Sequence, residues 1–327
     1  MTQNDHVQYG RLAAVLALLL VLPFVAPDYV LHVANFVLIM TLPVIGLGFI
    51  TGFTGRVSLA QGALFGVGAY VSALLTTKFG WSPLATFVPA VLGAIAVGTA
   101  LAGPAMRLAG LYFVMATIGI QQIVWIVLLN AVEFTGGPQG VRSIPAIGAA
   151  GVELASTFSF YFLALAMATA SYILAKRIVA SRLGLRLRAL SDDELASSAV
   201  AIDVTGTKLV ALVLCSGWAG AGGFLYAHYV RYIHPDMFTL EPSILLLTMS
   251  MFGGYRSIEG MLVATAILES ATEYLRPFGE FRMIAYGLLL LLGMMFFPKG
   301  ILSLLPRRAS RDAAKVSHLS EKRTRDA

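Results

Sequence analysis

The sequence predicts an all-α integral membrane protein with roughly eight to ten transmembrane helices and one charged cytoplasmic helix between two of them. Three observations predict it. Of 327 residues, 58% are hydrophobic and only 12% carry charge, and the mean hydropathy is +0.81; a soluble core has no room for that much apolar surface. The apolar residues come in runs suited to helical crossings of about 20 residues each. The cations collect at the ends of those runs, where membrane topology needs them.

The first run, 12–26, follows a weakly charged start in which Asp5 opposes Arg11, and it ends in "PFVAPD". Pro27 is a poor neighbour for a cleavage site, so an uncleaved first helix is expected rather than a signal peptide. Further runs occupy 29–50, 58–77, 83–106 and 111–132, and others begin near 158, 209, 243, 258 and 283. The run from 243 is short and interrupted at "GGYR" (253–256). It reads as a full crossing or as a re-entrant or broken helix.

Threading ten crossings from a cytoplasmic N-terminus places Arg56, Arg107, Lys176, Arg177, Arg182, Arg186, Arg188, Lys208 and Arg256 inside. Only Lys78, Arg142, Arg231, Arg276 and Arg282 fall outside. This asymmetry follows the positive-inside rule and puts both termini in the cytoplasm. One transmembrane domain is expected over 1–303. The remainder, 304–327, alternates charge without a hydrophobic period and is expected as a basic disordered cytoplasmic tail near anionic lipid.

Several function classes are excluded. A single cysteine, Cys215, allows no intrachain disulfide and no paired-cysteine metal site. The net charge of +6 sits at run ends and is not interleaved with exposed aromatics, so no nucleic acid partner is expected. The chain contains no G-x-x-x-x-G-K-S/T loop, no H-E-x-x-H and no G-x-S-x-G elbow. If ATP drives its action, the motor is another protein.

Two stretches carry most of the information. The first, "RLRALSDDELASSAVAIDVTGTK" (186–208), is polar and Ala-rich amid apolar runs. Ser191 is expected to cap a helix, with Glu194 completing a capping box and Asp192 and Asp193 complementing its positive end. That helix is expected to stop near Gly206. Leu195, Ala199 and Ile202 fall at i, i+4 and i+7, a small apolar stripe on a helix lying beside the membrane.

The second is "GFTGRVSLAQGALFGVGAY" (52–70). Ser58, Gly62 and Gly66 recur every four residues, giving a smooth helix face that either packs closely on another helix or leaves a groove for a substrate. Gly52 and Gly55 permit a helix break whose positive N-terminus can meet a carboxylate. Elsewhere, Glu269 is an acid inside an apolar run, and such a residue suits an ion-gradient-driven carrier. Glu273 is expected in a boundary ion pair with Arg276 and Arg282. Gln121 and Gln122 are expected to hydrogen-bond between helices. His228 and His234 are expected near the outer surface, neither as a ligand.

These two stretches, extended through "RALSDDELASSAVAIDVTGTKLVALVLCSGWAGAGGFLYA" (188–227), "FGGYRSIEG" and "FFPKGI", resemble the M-type permease subunit of branched-chain amino-acid ABC importers. The likeness keeps the family's order over roughly residues 35–303. It implies a bacterial inner-membrane importer for branched-chain or other hydrophobic amino acids, or a related small amide. The implied partners are a second, different permease subunit, two ATP-binding cassette ATPases, a periplasmic substrate-binding protein and membrane lipid. ATP and magnesium would sit on those ATPases, with no catalytic residue, metal or cofactor in this chain.

The resemblance also implies roles for residues. A coupling segment over about 182–207 would dock on an ATPase through Arg188, Asp192, Asp193, Glu194, Ala199, Ala201 and Ile202. Gly55, Ser58, Gln61, Gly62, Gly66, Tyr70 and Gly220 would line the substrate path. Five positions depart from the family's pattern. Ala201 stands where glycine is usual, Arg56 where glutamine is common, Arg256 and Glu259 where small or neutral residues are usual, and Met261 where proline is usual. Ala201 is expected to tighten the turn that contains it.

Overall fold

A computed structural model describes residues 17–149, 152–153, 156–254, 256–275 and 287. The tail 304–327, "FFPKGI", and Arg276 and Arg282 lie outside the described residues, as does the run from 283 apart from helical Gly287.

Backbone polar groups in hydrocarbon must satisfy one another, so the apolar runs fold as helices. Residues 17–25 are helical. In chain order there follow α1 (Asp28–Thr51), α2 (Gln61–Thr77), α3 (Phe87–Ala105), α4 (Leu111–Asn130), α5 (Thr157–Ala180), α6 (Arg182–Asp192), α7 (Glu194–Ala199), α8 (Val204–Val230), α9 (Leu240–Phe252) and α10 (Ile258–Tyr274). Five are long and apolar enough to cross a membrane: α1, α3 with its 3-10 lead-in Pro83–Thr86, α4, α5 and α8. At 17 residues each, α2 and α10 reach the lower limit of about 17–25 residues for a crossing. The protein is an all-α, multi-pass membrane protein; the β contacts among the described residues are the two-residue pair Gly148–Ala149 with Val152–Glu153 and a bridge between Val141 and Ile233.

The run from 243 forms a short helix reached through a non-α-helical approach. Beyond α8 the chain pairs Ile233 with Val141, turns through the 3-10 helix Pro235–Phe238 and only then begins α9. Thirteen residues at about 1.5 Å each make a rod near 20 Å, too short to span alone. The approach to it is anchored by Phe238, whose ring centroid lies 5.8 Å from those of both Phe65 and Tyr70.

The passage from α1 to α2 is also broken. Helix α1 stops at Thr51, Gly55 adopts φ +69°, and the backbone stays non-helical to Ala60. Ser58 therefore does not begin a helix face shared with Gly62 and Gly66, as the four-residue spacing suggests. Its neighbour Leu59 donates its N–H to Thr117 Oγ1 (3.1 Å) and Ala60 N–H approaches Ser58 Oγ (3.4 Å). Side chains thus take the bonds a helix would have made.

Helix α8 is the axis of the bundle, packed on α1, α2 and α3. The run "GWAGAGGFLYA" makes this possible, because small residues let backbones approach closely. A Cβ on Gly68 would sit 2.5 Å from Gly220 Cα, and one on Gly220 would sit 2.8 Å from Ala90 O. Peripheral α3, α4 and α5 turn Val88, Leu92, Met115, Ile123, Val127 and Leu174 outward, a surface that lipid covers at no hydrophobic cost. His228 is not at the surface: it is buried, bonded to Ser72 Oγ (2.8 Å) and to Pro145 O (2.8 Å) of the loop that folds over it.

Candidate functional site

At one end of the bundle, α6 and α7 form the polar segment between α5 and α8. Its capping differs from the sequence reading. Ser191 lies in the last turn of α6, and Asp193 caps α7, accepting from Leu195 N–H (2.8 Å) and Ala196 N–H (3.0 Å). The reason is competition: Arg256 binds Ser191 Oγ and Asp192, while Lys208 and Arg56 take Glu194. Asp193 alone is left to cap.

Nor does the helix run on to Gly206. After Ala199 the chain makes a Schellman turn, with Ile202 N–H on Ser197 O (3.2 Å) and Ala201 N–H on Ser198 O (3.2 Å). Gly206 belongs to the first turn of α8, its N–H held by the cap Asp203 (2.9 Å). The turn places Ala201 at φ +61°, a left-handed conformation costly to any residue with a Cβ. Alanine therefore strains the turn that it was expected to tighten. Ala201→Gly should stabilise α7 by about 0.5–1 kcal/mol, raising hydrogen-exchange protection of its amides about two- to fivefold.

The turn also splits the expected Leu195, Ala199 and Ile202 stripe. Leu195 and Val200 are 82% and 70% exposed, while Ile202 is turned half-inward. The apolar face offered to solvent is Leu195, Ala199 and Val200. Arg188, exposed on α6, lies 6.0 Å over the Phe53 ring.

Glu194, itself 49% exposed, brings its carboxylate onto two nearly buried cations. It pairs with Arg56 (3.3 Å) and Lys208, whose side chains are 9% and 6% exposed. Its bond from Lys208 chiefly, then Arg56, holds its carboxyl below the ordinary carboxylate range. A lowered carboxylate stabilises the fold above its unfolded pKa and loses that contribution as pH falls through the folded value. The Tm difference between wild type and Glu194→Gln should therefore be constant above about pH 5 and shrink below about pH 4.

Deep in the bundle lies a second assembly, where α2 and α9 begin. The N–H groups at a helix start have no partner within the helix. Here side chains supply them: Ser243 Oγ accepts from Gly62 N–H (2.9 Å), and Gln121 Oε1 accepts from Ala63 N–H (2.7 Å) and from the Ser243 hydroxyl (2.8 Å). Gln121 donates to Phe238 O (2.6 Å), Gln61 donates to Pro43 O (2.7 Å), and the Cys215 thiol donates to Gln61 Oε1 (2.8 Å). All four side chains are buried. This polar cluster fastens both helix breaks to α1, α4 and α8. Gln122, by contrast, is exposed and takes no part.

The glycine face is filled. A Cβ on Gly62 would meet Ser243 Oγ at 2.5 Å, and one on Gly66 would meet the Phe238 ring at 2.7 Å. Tyr70 is buried against that ring, its hydroxyl without a hydrogen-bond partner among the described residues. The face therefore packs helices in this conformation rather than opening a groove. Partly buried Glu269 has one buried oxygen, Oε2, likewise without a hydrogen-bond partner among the described residues.

The family described as "Branched-chain amino acid transport system / permease component" matches residues 29–298. The chain belongs to that permease family. It is 31% identical over 319 residues to the "High-affinity branched-chain amino acid transport system permease protein LivM" of Salmonella typhimurium, covering 89% of this chain and 74% of the relative. The protein of the same description from Escherichia coli is 30% identical over 314 residues, with the same coverage. No solved structure matches the permease.

The residues singled out by the resemblance, Arg56, Arg256, Glu259 and Met261, each make specific contacts. Arg56 donates to Glu194 and to Met106 O (3.1 Å) and Leu108 O at the end of α3. Arg256 holds α6 through Ser191 (3.0 Å) and Asp192, and Glu259 pairs with Lys176 and accepts from the Tyr172 hydroxyl (3.2 Å). Met261 packs its sulfur on Gly48 and donates its N–H to Ser257 O (3.0 Å), a bond that proline lacks. Sequence reasoning missed Ser243, Thr117 and Lys208; the one available signal was a hydroxyl or cation inside an apolar run.

Proposed function

We propose that this permease is the membrane subunit of an ATP-driven importer in a bacterial inner membrane. It moves branched-chain or other hydrophobic amino acids, or a related small amide, by alternating access. A second permease subunit, two ATP-binding cassette ATPases carrying ATP and magnesium, and a periplasmic binding protein complete the assembly. The observation that carries this reading is the short α7 helix, capped and strapped to the bundle, with Leu195 and Val200 turned out to solvent. Apolar side chains so exposed at a polar end of a membrane protein suit a protein partner. The printed description of the relatives supports the substrate class.

Arg56, Arg107, Lys176, Lys208 and Arg256 share the end of α7 with Arg182, Arg186 and Arg188. By the positive-inside rule this end is cytoplasmic. The buried Oε2 of Glu269, without a hydrogen-bond partner among the described residues, favours one other reading, a carrier driven by an ion gradient.

The test is purification of the tagged permease from its native membranes in mild detergent. Copurifying ATPases and vanadate-sensitive hydrolysis are expected, both lost in Leu195→Asp/Val200→Asp while the permease still inserts. A lone permease that takes up leucine without ATP, and stops doing so on Glu269→Gln, would establish the carrier instead.

A further inference from the structure

We infer that Glu194 acts inside the permease as a positioning residue, a strut carrying movement of α7 to the break between α1 and α2. The inference rests on the proposed docking of α7 to an ATPase, and it assigns Glu194 away from that docking surface.

The geometry points there because two nearly buried cations from different elements converge on one carboxylate. Arg56 belongs to the non-helical stretch ahead of α2, and Lys208 to the first turns of α8. Arg56 is fastened from the other sides as well: it donates to the orphan carbonyls of Met106 and Leu108 and lies 5.6 Å from the Phe113 ring centroid. Five residues further on, the same stretch enters the polar cluster at Gln61, Gly62 and Ala63. With Leu59 N–H pinned to Thr117, there is little slack between them.

Burial decides which ion pair transmits force. Glu194 is half-exposed, but its cationic partners are nearly buried; in the Arg256–Asp192 pair both members are exposed, at 42% and 66%, and such surface pairs are weak and readily rearranged. Arg56 and Lys208 have no other acidic partner among the described residues. Leaving Glu194 would strand both in a poorly hydrated site, so they follow its carboxylate as α7 moves.

The experiment compares wild type, Glu194→Gln, Arg56→Gln and the double variant as purified complexes in lipid vesicles. Leucine uptake, ATP hydrolysis and backbone hydrogen exchange are read together. In Glu194→Gln the ATPases should remain bound at the wild-type ratio, while leucine moved per ATP falls about tenfold, a typical coupling between distant sites. Exchange at the Gly62 and Ala63 amides should rise about fivefold. Arg56→Gln, which leaves Glu194 neutralised by Lys208, should reproduce both changes, and the double variant should add nothing.

Release of the ATPases by Glu194→Gln with unchanged exchange would make Glu194 a docking residue and overturn the inference. Multiplying effects in the double variant, or wild-type transport per ATP in either single variant, would also overturn it. If wild-type permease carries no ATPase, the docking proposal itself fails. The exchange comparison then still decides whether Glu194 and Arg56 hold the break.

Discussion

Gly223→Ala is expected to abolish assembly of the α2 and α8 pair, and with it leucine uptake. The added Cβ would lie 2.1 Å from Phe65 O and 2.7 Å from Ala69 N, both backbone atoms of a packed helix. A flexible side chain could rotate aside; a helix backbone cannot. The whole of α2 would have to move off the bundle axis, taking the polar cluster at its start with it. Overpacking typically costs about 1–3 kcal/mol, and a backbone clash belongs at or above the top of that range. Gly119→Ala is the matched control, since nothing lies within 4 Å of its Cβ position. It should keep or slightly raise the Tm, because alanine favours helix over glycine by up to about 1 kcal/mol. Tm in detergent, monodisperse yield and uptake by cells read the contrast; equal behaviour of the two variants would discard the packing argument.

The second large effect is expected from Gln121→Leu. One side chain serves three partners: it accepts from Ala63 N–H and the Ser243 hydroxyl and donates to Phe238 O. Leucine has similar bulk but leaves these groups unpaired where water cannot replace the glutamine. Hydrogen bonds between membrane helices are worth about 0.6–2 kcal/mol each. Their joint loss should therefore cost about 2–5 kcal/mol. The variant should lose thermal stability and show faster exchange at Gly62 and Ala63. Gln122→Leu, one residue away on the exposed face, should leave both unchanged. If the two glutamines prove interchangeable, the cluster does not hold the helix starts.

Much of the fold was legible in the residues. Run length marked α1, α3, α4, α5 and α8, and it marked the run from 243 as short, because both are local consequences of hydrocarbon thickness and helix rise. The polar stretch 186–208 announced a short helix outside the membrane. What it did not announce was which of Ser191, Asp192, Asp193 and Glu194 would cap it. All four have suitable chemistry, and the choice fell to Asp193 only because cations from elsewhere in the chain occupy the others. The glycine spacing was similarly ambiguous: a smooth face serves packing or passage equally well until its neighbour is known.

By itself, then, the sequence determined the class of protein, the approximate limits of its helices and the polar end that carries α7. Those properties depend on composition and on residues a turn or two apart. Only the tertiary structure decided that Glu194 pairs with Arg56, 138 residues away in the chain, and that Gln121 and Ser243 cap a helix to which neither belongs. Ion pairs and caps of that kind depend on which helices become neighbours. That is settled by close contacts such as Gly68 on Gly220, where the absence of a side chain in one helix has meaning only against the backbone of another.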